Sequence, residues 1–273
     1  MITNCNLSNY KITRLINGGT FCKLYEGVHI HKNEKVAIKC ESSEKGKKIL
    51  ENEIKMYLYL KKYKINIPNI KHIGVFENYK YIVMELLDIN VKDFFKQKRE
   101  RIEKKKDIDI DIEKEILEID NIIIDLFYLI NKFHQRMIVH RDIKPENFIF
   151  DKEMNLYIID LGLSTFDSNR ELKSFIGNKL YSSYRCHEKE YVYTYADDLI
   201  SMVYMLFHLY TGILPWNESM DSKELYSFKK NTNFEIYYNN LGLYDVIVKK
   251  LVSLYNAIHS KNYYGNVYKI INQ

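Results

Sequence analysis

Polar and apolar residues take turns through the first third of the chain. Tyr10-Lys11-Ile12-Thr13-Arg14-Leu15-Ile16 alternates with the period of two expected of a half-buried strand. Asn17-Gly18-Gly19-Thr20 breaks the run and Lys23-Leu24-Tyr25-Glu26-Gly27-Val28 resumes it, which predicts a hairpin. Lys35-Val36-Ala37-Ile38-Lys39-Cys40 predicts a third strand, and residues 70–76 and 81–86 two more. From Gly46 to Lys62 the period changes: Ile49, Leu50, Ile54, Met56, Tyr57 and Leu60 recur near helical spacing.

Beyond Leu87 helical patterns take over. Residues 91–95 begin a helix, and residues 96–114 form a charge-dense run that reads as a protruding helix or a partly disordered insert. Further helices are predicted over residues 116–133, 197–209 and 243–258. The expectation is an α+β chain forming one domain over residues 1–273. It has a small antiparallel sheet lobe with one helix (1–86), a joint at 85–88 and a larger, mainly helical lobe (88–273).

Composition narrows the classes. The chain has 273 residues, 46% of them hydrophobic, enough for a substantial core. Its most apolar stretch, residues 122–130, is broken by Asp125 and stopped by Asn131-Lys132, so no membrane span is expected. The N-terminus lacks a signal-peptide pattern, and the four cysteines (Cys5, Cys22, Cys40, Cys186) are scattered without a CxxC pair. A monomeric protein with reduced thiols in the cytoplasm is expected, with the nucleus or a host cell as further settings. The net charge of +5 is mild and no basic stretch is interleaved with aromatics, so nucleic acid is not an expected partner.

The chemistry concentrates in His140-Arg141-Asp142-Ile143-Lys144-Pro145-Glu146-Asn147, followed by Asp160-Leu161-Gly162. Phosphoryl transfer needs a carboxylate to accept the proton of an attacking hydroxyl, and oxygen ligands for Mg²⁺ on the nucleotide phosphates. Asp142 suits the first task, Asn147 and Asp160 the second, and Lys144 can neutralise the transferred group. A polar turn ending a helix would not explain why all these residues fall in register. Lys39 stands at the end of Val36-Ala37-Ile38-Lys39, about a hundred residues upstream and before a helix that bears glutamates. Glu53 is the chosen partner for it, and Glu51 the alternative, turned about 200° around the helix.

These motifs resemble those of the eukaryotic protein kinases, whose catalytic loop reads H-R-D-x-K-P-x-N. The resemblance implies ATP and Mg²⁺ as cofactors and protein substrates. Leu161 replaces the usual Phe of the second acidic motif. The glycine loop is more divergent: residues 16–24 align with G-x-G-x-x-G-x-V with Gly19 kept and Asn17 and Cys22 in place of the outer glycines. Asn tolerates positive φ, so position 17 is expected to keep its turn, while Cys22 adds a side chain near the phosphates and is expected to weaken ATP binding. The resemblance implies nucleotide contacts from Ile16, Gly18, Gly19, Leu24, Ala37, Lys39, Met84, Glu85, Leu87 and Ile149. It also implies that Asp198 anchors the catalytic loop.

Ile67-Pro68-Asn69-Ile70, Met84-Glu85-Leu86-Leu87, Asp197-Asp198-Leu199-Ile200-Ser201 and Gly212-Ile213-Leu214-Pro215-Trp216 resemble the casein kinase I family in order and spacing. Gly177-Asn178-Lys179-Leu180-Tyr181-Ser182-Ser183 stands where most kinases close the activation segment with Ala-Pro-Glu, and is similar to that family's G-T-x-R-Y-x-S. That family favours acceptors downstream of acidic or phosphorylated residues. Lys173 aligns with its basic pocket but Leu180 replaces an arginine, so primed and unprimed substrates both stay open. By family pattern Lys144 implies Ser/Thr acceptors over Tyr. A catalytically silent scaffold, suggested by Asn17 and Cys22, and a small-molecule kinase are the rival readings.

Overall fold

The chain was analysed as a computed structural model that describes residues 5–18, 22–43, 48–104, 112–166, 171–172, 174–188, 191–238 and 245–272. The alternating segments form strands β1 (Asn6–Leu7), β2 (Tyr10–Gly18), β3 (Cys22–His29), β4 (Lys35–Ser42), β5 (Ile70–Phe76) and β6 (Tyr79–Glu85). They make one antiparallel sheet in the order β1-β2-β3-β4-β6-β5. Period-two alternation places Leu7, Tyr10, Ile12, Tyr25, Val36, Ile38, Cys40, Tyr81 and Val83 together in its core. The expected turn at Asn17 is absent: the strand runs on through Gly18, with Asn17 paired to Leu24. A register shift between Leu15 and Asn17 absorbs the irregularity instead, as a bulge does.

Helix α1 (Ile49–Leu60) buries Leu50, Met56, Tyr57 and Leu60 of the predicted stripe together with Glu53, while Ile49 and Ile54 are half-buried. Lys48 at its N-cap provides no side-chain acceptor. Glu41 of β4 does so instead, accepting the N–H groups of Ile49 at 3.1 Å and Leu50 at 3.4 Å. Two orphan donors of the first turn are thereby satisfied from another element.

The chain then runs through β7 (Ile89–Asn90), α2 (Val91–Lys104), α3 (Ile112–His134), β8 (Ile138–Val139), β9 (Phe148–Phe150) and β10 (Leu156–Ile158). After these come β11 (Thr165–Phe166), β12 (Glu171–Leu172), β13 (Tyr191–Val192), α4 (Tyr195–Thr211), α5 (Ser222–Asn231), α6 (Phe234–Tyr237), α7 (Asp245–Ile258) and α8 (Tyr263–Ile271). Of the charged insert, α2 and the start of α3 are described, while residues 105–111 lie outside the described residues.

Two compact units result: Met1–Ile89 with Ile149–Ser164, the sheet unit, and Asn90–Phe148 with Thr165–Gln273, the helical unit. Sequence patterning groups residues 149–164 with the helices, whereas in the structure they pack with the sheet unit. The Ile158 N–H donates to the Asn66 carbonyl, and the Asn66 amide donates to the Leu156 carbonyl.

The helical unit is built around α4, almost wholly buried from Ala196 to Tyr210. Such a helix is apolar on every face because it sits inside a core. Thr194 and Asp197 close a capping box at its start, and Gly212, in the left-handed region, ends it. Beside it, Tyr204, Phe207, Trp216, Phe234 and Tyr238 stack at ring distances of 4.6–6.1 Å. Trp216 is thus a packing residue. No described helix is long and apolar enough to cross a membrane.

Candidate active site

In the sheet unit, β4 carries Lys39 and α1 carries Glu53. Lys39 Nζ lies 2.7 Å from Glu53 Oε2 and 2.8 Å from Asp160 Oδ1. Glu51 is placed elsewhere, 2.8 Å from Lys80. Burial opposes the charge on Lys39, but Glu53 and Asp160 outweigh it and hold the ammonium above the ordinary lysine range. Burial pushes the Glu53 carboxyl up, against the pull of Lys39. Asp160 adopts a left-handed backbone (φ 59, ψ 65), a conformation that aspartate tolerates better than most residues and that recurs at functional sites.

Two further side chains and a glycine hold this cluster. The Asn52 amide donates to the carbonyls of Gly162 and Ser164, both at 2.9 Å, so α1 grips the turn after Asp160. The Asp160 N–H donates to the Tyr57 hydroxyl at 3.2 Å. Gly162 is required by proximity: a Cβ there would sit 2.4 Å from Ile49 Cγ2. Gly162 belongs to the Asp160-Leu161-Gly162 motif read from sequence, whereas Asn52 and Tyr57 were not singled out as site residues. Tyr57 could have been, since it follows Glu53 by four positions on one helix face.

The remaining nucleotide-contact candidates sit on the same unit. Ala37 pairs with Met84 across β4 and β6, and both are buried. Leu24 pairs with Lys39, and Gly18 with Lys23. Glu85 and Asn69 exchange two bonds: the Glu85 N–H donates to the Asn69 carbonyl at 3.0 Å, and the Glu85 carboxylate accepts the Asn69 N–H at 3.0 Å. Leu87 and Ile149 are half-buried, and Ile16 is exposed. Gly19 lies outside the described residues, as does Lys173. Burial pushes the Cys22 thiol up to about 12, with Lys39 pulling it down and nearby carboxylates reinforcing the rise. It lies 3.9 Å from the same Glu41 oxygen that caps α1.

In the helical unit, residues 140–147 form a tight loop. Lys144 Nζ lies 2.7 Å from Asp142 Oδ2, and the Asn147 amide donates to the Asp142 carbonyl at 2.8 Å and to Oδ2 at 3.2 Å. Pro145 opens the short turn Pro145–Asn147 that brings Asn147 back over Asp142. Asp198 fixes the loop from α4: it accepts the His140 N–H at 2.8 Å and the Arg141 N–H at 3.0 Å. It also accepts the Tyr193 hydroxyl at 2.8 Å and pairs with His134 at 3.0 Å. Burial alone would raise its carboxyl, but the bond from His134 and its other partners hold it below the usual range.

The same unit places residues 177–183 against this loop. Gly177 has φ +98, and a Cβ there would lie 2.4 Å from the Arg141 carbonyl oxygen. Only glycine permits that approach. Asn178 Oδ1 then accepts the N–H groups of Leu180 and Tyr181 at 2.8 and 3.2 Å, closing an Asx-type turn.

Chemically, the sheet unit offers a fixed ammonium and a carboxylate suited to phosphate oxygens and a hard cation. The helical unit offers a carboxylate with a lysine beside it. Among the described residues no group of three or more His, Cys, Asp or Glu side chains forms a closed metal cage. Asn147 in the helical unit and Asp160 in the sheet unit each carry a side-chain oxygen of the hard kind. A family model described as "Protein kinase domain" matches residues 10–262. On that match, and with an antiparallel sheet unit followed by a helical unit of the corresponding fold, the chain belongs to the protein kinase family.

Proposed function

We propose that this chain is an active, casein kinase I-like protein Ser/Thr kinase that transfers the γ-phosphoryl group of Mg²⁺-ATP to hydroxyls of protein substrates. The observation that carries the reading is the cluster of Lys39, Glu53 and Asp160, with Lys39 within 2.8 Å of both carboxylates. A chain released from catalysis has no need to keep a buried ammonium between two carboxylates, given the cost of burying charge.

In this reading Lys39, held by Glu53, orients the α- and β-phosphates. Ala37, Leu24, Ile16, Ile149 and Met84 enclose the adenine, and the backbone from Glu85 to Leu87 hydrogen-bonds its edge. Gly18 and Gly19 cover the phosphates. Asn147 and Asp160 would hold Mg²⁺, which would offset the charge that builds on the phosphates. The fit is chemical: both residues present hard oxygens, and Asn147 uses its Nδ2 for Asp142, which leaves its Oδ1 as the oxygen for a cation. Asp142 accepts the proton of the acceptor hydroxyl as that oxygen bonds to phosphorus and the bond to ADP breaks. Lys144, 2.7 Å from Asp142, neutralises charge on the moving group.

The test is transfer from radiolabelled ATP with Mg²⁺ to casein, alongside Asp142→Ala, with phosphoamino-acid analysis of the product. The reading predicts labelled Ser or Thr with wild type and loss of at least about a thousandfold in the variant. A folded wild type no better than the variant would leave the scaffold reading, for which Asn17 and Cys22 speak.

A further inference from the structure

Lys229 is wholly buried, which is rare for a lysine without a carboxylate partner. It lies on α5, and its Nζ donates to the carbonyls of Lys179 and Ser182, both at 2.7 Å. Ser182 Oγ is 3.4 Å away and His187 Nε2 3.3 Å. The ammonium carbon chain ends over aromatic rings, 5.4 Å from the Trp216 centroid and 5.7 Å from that of Tyr204. Among the described residues no carboxylate pairs with it. Burial pulls its pKa down to about 7, and the same surroundings pull His187 down to about 3.

What the amine holds is backbone. Trp216 Nε1 adds a third bond, donating to the Leu180 carbonyl at 2.8 Å. The carbonyls of Lys179, Leu180 and Ser182 are thus gathered onto α5 and Trp216. His187 stacks flat on Phe175 at 4.9 Å and closes the other side. At its opposite end the same segment is pressed by Gly177 against the Arg141 carbonyl, next to Asp142. Residues 177–183 are therefore clamped at both ends, and one clamp touches the catalytic loop.

We infer that Lys229 is a positioning residue for protein acceptors: it sets the height of the 177–183 segment beside Asp142 without touching acceptor or nucleotide. The inference rests on the kinase reading above and on that segment facing the acceptor. A methionine would pack between Trp216 and Tyr204 about as well, and replacing a buried charge by an apolar side chain is often neutral for stability. Acceptor binding, by contrast, loses two bonds that define the segment's shape.

The experiment compares wild type, Lys229→Met and Lys229→Gln in four measurements: KM for casein, KM for ATP, acceptor-free ATP hydrolysis, and hydrogen exchange across residues 177–183. Lys229→Met should raise KM for casein about tenfold and speed exchange at Leu180, Tyr181 and Ser182. KM for ATP and hydrolysis to water should stay within about twofold. Lys229→Gln, which keeps an N–H donor, should fall between and serves alone if Lys229→Met does not fold. An unchanged KM for casein, or equal losses in transfer and in hydrolysis, would overturn the inference. If wild type transfers nothing to any acceptor, the kinase reading fails first. Unchanged exchange across 177–183 would then overturn the positioning role by itself.

Discussion

The sheet unit and the helical unit fix their key residues by opposite means. Lys39, Glu53 and Asp160 are held by charge against charge, with long side chains meeting at 2.7 and 2.8 Å. Asp198 is a buried anion surrounded mostly by dipoles: two backbone N–H groups and a tyrosine hydroxyl, with His134 beside it. The first arrangement sets one buried ammonium between two carboxylates, which under the proposed function can exchange partners for phosphate and metal. The second freezes a backbone turn that must not move. In the proposed reading, the groups that engage ligand are balanced by ion pairs, and the group that shapes the chain is balanced mostly by backbone.

That contrast can be broken from either side. Asp198→Ala carries the largest expected effect, because it strands the His140 and Arg141 N–H groups in a dry interior. Stability of the helical unit should fall by about 3–5 kcal/mol, read from thermal unfolding. Glu53→Gln should cost less stability but lower kcat/KM on the order of a hundredfold, since Asp160 alone remains to hold Lys39. Equal stability losses in the two variants would erase the distinction between a shaping anion and a ligand-facing one.

Asn52→Ala removes both 2.9 Å bonds from α1 to the turn after Asp160 and should cost about 1–3 kcal/mol. Its signature is a raised Mg²⁺ requirement with KM for the protein acceptor unchanged. Proton linkage gives a smaller effect. The folded chain releases the Lys229 proton near pH 7, whereas the unfolded chain keeps it toward 10.5. The unfolded state therefore binds more protons in that window, and stability rises with pH. His187, already neutral, adds nothing there. Lys229→Met should flatten that rise in unfolding experiments between pH 7 and 9. Smallest of all, Cys22→Gly should lower KM for ATP a few-fold, because a bare backbone approaches phosphates more closely; a raised KM would show that the cysteine assists.

Sequence patterns read locally, and their reach follows from that. The five long strands and α1 follow from alternation and spacing over a few residues. The 140–147 loop is legible because its chemistry is contiguous. Asn52 and Lys229 are not legible, because each acts on backbone distant in sequence: Asn52 reaches a carbonyl 110 positions away, and Lys229 one 50 away. No periodicity marks a polar side chain whose partner is a main-chain atom. Helix α5 does carry a signal, the Asp221-Ser222-Lys223-Glu224 capping box, which its mostly polar sequence obscures. The expected left-handed turn at Asn17 failed for a related reason: a bulge further back in β2 absorbed the irregularity.

Glu41 joins the strand that bears Lys39 to the helix that bears Glu53, through the first amides of α1. Swinging that helix outward would break both of these bonds at once, leaving the buried Glu41 carboxylate only the weak Cys22 thiol as a partner among the described bonds. For inhibitor design this separates two kinds of compound. Those that displace α1 must offer an acceptor to Ile49 and Leu50 in place of Glu41, whereas those that leave the helix seated carry no such penalty and should bind this chain preferentially.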